Sequence, residues 1–208
     1  MDAARCSGQD TRAGGFTLVE LLAVIAVAAI LAATAVPSFT RFLISARVSQ
    51  AENSLRGAIE LARSEAVVRS TRVGVCRSAT SNEAVPSCTQ AATGGYGATD
   101  WAVGWLVYAK AAANAADAFE ANDVVIRRQS ALSPQATGSR VMVWGPAAAP
   151  LVFGWNGVRA AGPVGSFGVD FGPALSAPGP LTSASASCVA VNVVGRIDVS
   201  RPTGGVCP

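Results

Sequence analysis

A run of apolar residues near the start of the chain, Phe16 to Val36, most constrains what this sequence can fold into. An α-helix needs about 20 such residues to cross the hydrocarbon core of a bilayer, and this run is long enough. A single carboxylate, Glu20, lies in its first turn. Small residues, Gly14 and Gly15, precede the run, whereas an ordinary secretory signal is cut after its apolar region. We therefore predict that the helix is kept and anchors the chain in a membrane.

The carboxylate of Glu20 needs a positive partner. A charged side chain inside a bilayer costs about 2.5 to 3.5 kcal/mol on insertion scales, so such residues are usually paired and functional. No Lys or Arg lies between Phe16 and Val36, but cleavage after Gly15 would create an α-amino group one helical turn away. We expect that amine to be the partner. The alternative is that Glu20 reaches the headgroup region near the helix end.

The cysteines indicate an exported protein. Cys6 lies among the first 15 residues, so removal of that segment leaves an even set, Cys76, Cys88, Cys188 and Cys207. Four cysteines allow three pairings, and their order favours two local loops, Cys76 with Cys88 and Cys188 with Cys207. Such bonds form in an oxidising compartment such as the periplasm. No metal site is predicted, because the chain has no histidine and no C-x-x-C pair.

Beyond Pro37 the sequence becomes amphipathic without losing its helical character. Apolar residues recur at three- and four-residue steps, which places them on one helical face: Phe39, Phe42, Leu43, Ala46, Leu55, Ile59, Ala62 and Ala66. Glu52 with Arg56, and Glu65 with Arg69, have the i,i+4 spacing that favours an exposed helix. We predict that the helix continues to about Ser70 and that Pro37 bends or loosens it.

From Thr71 onward the residue types are those of short strands joined by turns. Strands are predicted at 72–76, 103–108, 124–129, 140–144, 151–154, 166–171, 188–194 and 197–200. Asn156-Gly157 and Gly195-Arg196 supply turn chemistry. Residues 109–121 and 172–187 are predicted as exposed loops. The fold class is therefore α+β, a long N-terminal helix packed on an antiparallel β-sheet head.

The N-terminal segment, Gly14-Gly15-Phe16-Thr17-Leu18-Val19-Glu20 and the apolar run after it, resembles type IV prepilins and type II secretion pseudopilins. The resemblance implies that a prepilin peptidase cuts after Gly15 and methylates Phe16, and that Glu20 meets the N-terminal amine of a neighbouring subunit. A proline at position 37 is also usual in pilins. The resemblance further implies that the chain has four segments. They are a leader at 1–15, a transmembrane and assembly helix at 16–36, an amphipathic stem at 37–70, and a β-rich periplasmic head at 71–208.

The head narrows the resemblance to the GspH/FimT family of pilin-like proteins. The matching residues are Leu61 to Arg69, Val73 to Cys76, Trp101 to Tyr108, Leu151 to Phe153 with Asn156-Gly157, and Gly195-Arg196 before the final strand. The resemblance implies a non-enzymatic minor subunit at the tip of a type IV pilus or type II secretion pseudopilus. Its partners would be other pilins or pseudopilins, the prepilin peptidase and the bacterial inner membrane, from which it would be extruded into a filament.

Catalytic chemistry is poorly supported by the composition. The chain has no histidine, a single lysine, Lys110, and no nucleotide-binding glycine motif after a strand, so neither an enzyme nor a bound cofactor is predicted. The acids of the head fall mostly in predicted loops and are interpreted as solvated: Glu83, Asp100, Asp117, Glu120, Asp123, Asp170 and Asp198. Trp101 and Trp105 are predicted to be core or loop-anchoring residues, and Arg63 and Arg69 to be solvated on the helix.

DNA capture is the main alternative function. Some FimT-like minor pilins bind incoming DNA through a C-terminal GRxR motif, and Arg196 matches its first arginine. Asp198 replaces the second arginine, although Arg201 lies nearby. From Thr71 onward there are nine basic and seven acidic residues. So small an excess of positive charge would attract a polyanion only weakly, and a nucleic-acid partner is not favoured.

Overall fold

The computed structural model describes residues 15–111, 116–133, 138–145, 149–162, 166–173 and 178–208, without the side chains of residues 34–37. The chain divides into two compact units, Met1–Phe42 and Leu43–Pro208. Helix α1 spans Leu18–Arg69 and is followed by short strands. It is long and apolar enough to cross a membrane by length and composition. The predicted continuation to about Ser70 is confirmed.

Helix α1 ends in a Schellman motif. The Thr71 N–H donates to the Ala66 carbonyl oxygen and the Ser70 N–H donates to the Val67 carbonyl oxygen, each at 3.3 Å. These two bonds satisfy carbonyl groups that the last turn leaves free. The motif needs a residue in the left-handed region, and Ser70 takes that conformation with φ 52°. A serine therefore occupies a position at which glycine is the usual residue.

In the second unit, one face of α1 is buried. Its residues repeat at three- and four-residue steps and are at most 1% exposed: Val48, Ala51, Leu55, Ala58, Ile59, Ala62 and Ala66. The predicted apolar face is thus confirmed from Leu55 onward. For the stripe near Phe39 and Phe42 the sequence favours contact with a partner helix over packing on the head, and both residues are exposed, as are Leu43 and Ala46. On the outer face Arg69 pairs with Glu65 as predicted, whereas Arg56 pairs with Glu60 at 2.8 Å rather than with Glu52.

The strands of the second unit form two antiparallel sheets. In chain order they are β1 Val73–Arg77, β2 Trp105–Ala109, β3 Val124–Gln129, β4 Ser139–Trp144, β5 Leu151–Phe153, β6 Arg159–Ala161, β7 Ser166–Pro173, β8 Ser187–Val191 and β9 Ile197–Ser200. One sheet has the order β3-β2-β1-β5-β6 and the other β4-β7-β8-β9. The α+β class and the antiparallel head are confirmed, with two sheets where one was expected.

Several strand ends differ from the predicted ones by one to three residues, and one strand was not predicted. Strand β2 begins at Trp105, because Trp101–Val103 forms a 3-10 turn that Gly104 ends at φ 120°. Strand β8 ends at Val191, because the next four residues turn and the Gly195 N–H donates to the Asn192 carbonyl oxygen at 3.0 Å. Strand β6 was not predicted, since its three residues are too few to show a pattern.

The two predicted exposed loops are partly wrong. In the first, Ala109 ends β2, and both Ala109 and Lys110 are buried, while residues 112–115 lie outside the described residues. In the second, Gly172 and Pro173 belong to β7, and Ala186 and Ser187 are buried, while residues 174–177 lie outside the described residues. Both segments therefore begin or end within the packed head.

The core of the head lies between the buried face of α1 and the inner faces of the sheets. Trp101 and Trp105 are fully buried, which confirms that they are core residues. Trp101 meets Phe167 edge to face, with ring centroids 5.1 Å apart. Burying one large apolar side chain contributes about 1.5 to 3 kcal/mol, so each of these rings stabilises the head by that order.

The interpretation of the head acids as solvated is wrong for Asp100. Its carboxylate is fully buried and pairs with Arg140 at 2.6 Å. It also accepts hydrogen bonds from the Ala102 N–H at 3.0 Å and the Val143 N–H at 3.2 Å. Arg140 in turn lies over the Tyr96 ring, 4.2 Å from its centroid. A buried charge has to be paired and hydrogen-bonded, and Asp100 meets both conditions.

Asp123 and Asp170 are buried as well. Asp123 pairs with Lys110 at 2.8 Å and accepts from the Ala111 N–H, which closes the loop after β2. Asp170 accepts from the backbone N–H groups of Phe171 and Thr182, both at 2.7 Å. Asp117 is half-buried and pairs with Arg72. Glu83, Glu120 and Asp198 are exposed.

Candidate assembly segment and basic hairpin

The start of α1 is built as a capped helix end. Thr17 precedes the helix, and its hydroxyl oxygen accepts a hydrogen bond from the Glu20 N–H at 3.2 Å. The Leu21 N–H then donates to the Thr17 carbonyl oxygen at 3.1 Å. Thr17 is therefore the N-cap, and Glu20 occupies the third helical position of a capping-box sequence, T-x-x-E. The sequence analysis overlooked this pattern, although the spacing of the two residues shows it.

Besides the predicted pairing with an amine, Glu20 has a second physical role, which follows from its place in the first turn of α1. A carboxylate in the first turn of a helix is stabilised by the positive end of the helix dipole, by typically 0.3 to 1 kcal/mol at exposed sites. The side chain is exposed and forms no ion pair with any described residue. The surrounding side chains, Leu18 and Val19 among them, are exposed and apolar. Pairing of Glu20 with an N-terminal amine stays a prediction.

The other predicted residues of this segment lie as follows. Gly15 and Phe16 precede the helix and are exposed, so nothing in the described chain covers the Gly15–Phe16 bond. Pro37 lies within the helix bounds, but its side chain lies outside the described residues. Cleavage, methylation of Phe16 and bending at Pro37 all stay predictions.

Two disulfides cross-link segments of the head. Cys76 on β1 is bonded to Cys88, with Cα atoms 5.7 Å apart, and Cys188 on β8 is bonded to Cys207, with Cα atoms 5.5 Å apart. These are the two local loops that the sequence predicts. The second bond fixes the C-terminal residues against the four-stranded sheet, and Pro208 accepts a hydrogen bond from the Ser166 hydroxyl at 2.6 Å.

Buried Arg77 organises the segment that follows the first disulfide, residues 89–100. It follows Cys76 in β1 and donates to the carbonyl oxygens of Asp100 at 2.7 Å, Ala91 at 2.8 Å and Gly97 at 3.0 Å. Burial lowers the pKa of this guanidinium, and Asp100 opposes that shift. The burial of Tyr96 and Tyr108 likewise raises the pKa of each phenol. These three groups belong to the buried framework of the head.

The basic hairpin, residues 192–201, contains the predicted DNA contacts. Gly195 takes φ 77° in the turn, and a Cβ there would lie 2.5 Å from the Gly157 carbonyl oxygen. Arg196 follows it with 74% of its side chain exposed and pairs with Asp198 at 2.9 Å. Arg201 donates to the carbonyl oxygens of Ala184 and Ala186. The carboxylate that replaces the second arginine of the motif therefore lies against Arg196.

Arg63 is exposed on the helix surface, as predicted, and it also makes a long-range contact. Its Nε donates to the Gly157 carbonyl oxygen at 3.1 Å. It therefore links α1 to the turn after β5, beside Gly195. Arg69 is exposed and paired with Glu65, as a helix-surface residue should be. Among the described residues, no group of three or more His, Cys, Asp or Glu side chains is placed to hold a metal ion.

A long helix with an apolar, capped N-terminal part and a disulfide-bonded antiparallel head is the architecture of a pilin-like subunit. Residues 10–36 match the prokaryotic N-terminal methylation motif. Residues 51–195 match the family described as type II transport protein GspH, and the chain belongs to this family. Members are structural pilin and pseudopilin subunits, and membership implies assembly with other pilins and processing by a prepilin peptidase.

The chain is also similar to one solved structure, the type IV minor pilin FimU of Pseudomonas aeruginosa strain PAO1. The two are 14% identical, with a TM-score of 0.45, and the match covers 81% of this chain and 95% of FimU. The apolar helix and the methylation motif fit anchoring in the inner membrane with a periplasmic head.

Proposed function

We propose that this protein is a non-enzymatic minor subunit that assembles into the tip of a type IV pilus or type II secretion pseudopilus. The observation that carries the proposal is the N-terminal methylation motif joined to a capped helix whose apolar run, Phe16 to Val36, holds one carboxylate, Glu20. In this proposal the peptidase cuts after Gly15 and methylates Phe16. The helix of the resulting subunit then packs beside other pilin helices and is extruded from the membrane with them.

Glu20 is proposed to guide this assembly. In the hydrocarbon core its carboxylate costs free energy unless a cation meets it. The α-amino group of Phe16 in a neighbouring subunit supplies that cation and brings the incoming subunit into register. The capping role seen here is compatible with it, because the backbone N–H of Glu20 binds Thr17 while the carboxylate is exposed.

Processing and assembly can be tested in one strain. N-terminal mass spectrometry of the mature chain should find methylated Phe16, and Gly15→Val should block cleavage. Glu20→Ala should leave membrane insertion intact, since it removes a desolvation cost, but lower recovery of the chain with partner pilins after crosslinking. Glu20→Gln is the matched control for size, and it should fail in the same way because it lacks the charge. A mature chain that begins after Val36, or full co-assembly of both variants, would rule out this mechanism.

DNA capture is a weaker proposal for the same protein. Its support is the exposed Arg196 in the basic hairpin. The ion pair with Asp198 argues against it, because a phosphate would have to approach a carboxylate that already binds the guanidinium. We expect negligible binding of DNA at physiological salt.

A further inference from the structure

A hollow of about 470 Å³ is lined by α1, by the end of β3 with the residues that follow it, and by the start of β4. The polar side chains that matter here are Arg47 and Gln50 on the helix, Gln129 on β3, and Ser139 and Arg140 on β4. All of them belong to the second unit, Leu43–Pro208. Among the described residues that line the hollow, none is Asp or Glu. We call it the acid-free hollow.

The lack of acids extends to the sequence around the lining. Residues 43–51 and 127–141 supply every lining residue named above, and neither segment contains Asp or Glu. Two other hollows beside α1 differ, because Glu60 lines one and Glu52 lines the other. Glu52 follows Arg47 by five residues, which places it about 140° away around the helix. The helix therefore turns its glutamates away from the acid-free hollow.

Two arginines leave an excess of positive charge at this place. Arg47 and Arg127 are exposed, and neither forms an ion pair with a described residue. Arg127 lies two residues before Gln129 on β3, so the two share one face of the sheet. Arg140 adds no net charge, because the buried carboxylate of Asp100 pairs with it at 2.6 Å.

The neutral groups of the lining add hydrogen-bond donors. Gln50 and Gln129 each carry an NH₂ group, and Ser139 carries a hydroxyl. The Gln129 amide donates one N–H to the Ser130 carbonyl oxygen at 3.2 Å and has a second N–H to offer. The Nε–H of Arg140 is buried and has no acceptor among the described residues, which costs free energy. A lining with more donors than acceptors matches an ionised carboxylate, which only accepts.

We infer that the acid-free hollow binds an Asp or Glu side chain of a different pilin-like subunit. Arg47 is the counter-ion of that carboxylate, and Gln50 and Gln129 donate to its oxygens. This inference rests on the proposed function, since it requires assembly with other subunits. Charge complementarity across an interface suppresses wrong partners and fixes register, so the hollow helps to select the neighbour of this subunit.

The size of the hollow favours a side chain over a free ion. A water molecule occupies about 30 Å³ in the liquid, so a bare inorganic anion would fill a small part of the 470 Å³. An acidic side chain on a protruding loop brings its methylene groups and backbone with it. Ala51, Leu132 and Val141 also line the hollow and provide apolar contacts for those methylene groups.

The lysine content of the chain makes a carboxylate-specific crosslink possible. The one lysine, Lys110, has a fully buried side chain, so Arg47→Lys adds an exposed amine at the hollow and keeps the positive charge. A water-soluble carbodiimide joins an amine to a carboxylate as an amide, and the reagent takes up the water that is lost and becomes a urea. It is applied to the cells that produce this protein, with the full chain carrying the variant.

We expect a crosslink from position 47 to an Asp or Glu of another pilin-like subunit. Mass spectrometry of the joined peptides identifies both ends. Val85→Lys is the matched control, because Val85 is 78% exposed in a loop that does not line the hollow. The yield from position 47 should exceed the yield from position 85 by about tenfold, the ratio that corresponds to one well-placed charge pair.

Reversal of the charge tests the same contact without a crosslink to position 47. Arg47→Glu places a carboxylate opposite the carboxylate of the partner, so recovery with partner pilins should fall about tenfold. Arg56→Glu makes the same change of charge about 180° around the helix, where Arg56 pairs with Glu60, and should keep recovery within about twofold. Intact disulfides and an unchanged thermal transition show that each variant is folded. If Arg47→Glu does not fold, the crosslink from position 47 decides alone.

Four results would overturn the inference. They are a yield from position 47 no greater than from position 85, an adduct with a lipid, an adduct with an acid of this chain or of a second copy, and normal recovery of folded Arg47→Glu. Processing after Gly15 and recovery of the unaltered chain with partner pilins are measured in the same strain. If either of these is absent, the proposed function fails; if both are normal and position 47 gives no such adduct, only the role of the hollow fails.

Discussion

At the scale of single residues, Asp100 tests how much the buried polar network stabilises the head. Asp100→Asn should lower the free energy of unfolding by about 3 to 5 kcal/mol, because it leaves the Arg140 guanidinium buried without a counter-charge. Asp198→Asn is the control, since its pair with Arg196 is exposed and should contribute no more than about 1 kcal/mol. Urea unfolding of the full chain in detergent, followed by near-UV circular dichroism, measures both. Equal losses would contradict the assignment.

Some side-chain contacts and burials in the head can be predicted from the sequence, and others cannot. The pairing of Cys76 with Cys88 follows from cysteine order, and the burial of Trp101 from its size and type. The burial of Asp100 does not follow, because it depends on Arg140, 40 positions later in the chain, and on a 3-10 turn with no strong local signal. A short polar segment that a distant arginine buries has the same local sequence pattern as one that is exposed to water.

At the scale of elements, the end of α1 offers a stabilising change. Ser70→Gly should raise the free energy of unfolding by up to about 1 kcal/mol, because glycine adopts φ 52° without the Cβ clash and loses part of that gain to its greater freedom when unfolded. Ser70→Ala is the control, because alanine keeps the Cβ and should give no gain. Thermal unfolding of the three proteins compares them. A lower stability for the glycine variant would mean that the serine hydroxyl contributes more than the strain costs.

Elements were predictable where their pattern is long. Helix α1 repeats its apolar face over several turns, so both its existence and its end at Arg69 could be read from the sequence. Strand β6 has three residues, and the end of β8 depends on a turn whose apolar residues, Val193 and Val194, look like strand. The division of the strands into two sheets depends on contacts between distant segments, which one sequence does not show. The position of β9 at the end of the four-stranded sheet likewise depends on the topology and not on a local pattern.

At the scale of the whole molecule, the distribution of charge separates a filament subunit from a DNA receptor. Each phosphate contact in a protein–DNA complex releases counterions, so the logarithm of affinity falls with the logarithm of salt by about 0.9 per contact. The head has nine basic and seven acidic residues, and the guanidinium of Arg196 is already paired. We therefore expect the full chain in detergent to show negligible binding to duplex DNA at physiological salt, in an anisotropy titration with a labelled oligonucleotide.

Two variants make this expectation specific. Asp198→Arg removes the carboxylate beside Arg196 and introduces a second arginine. It should therefore create measurable binding to DNA that weakens steeply as the salt concentration rises. Arg196→Ala should leave the already negligible binding unchanged. Glu83→Arg is the charge-matched control, because it makes the same change of charge on an exposed loop away from the hairpin and should bind less than Asp198→Arg. Wild-type binding near physiological salt that Arg196→Ala abolishes would instead establish the basic hairpin as a DNA site.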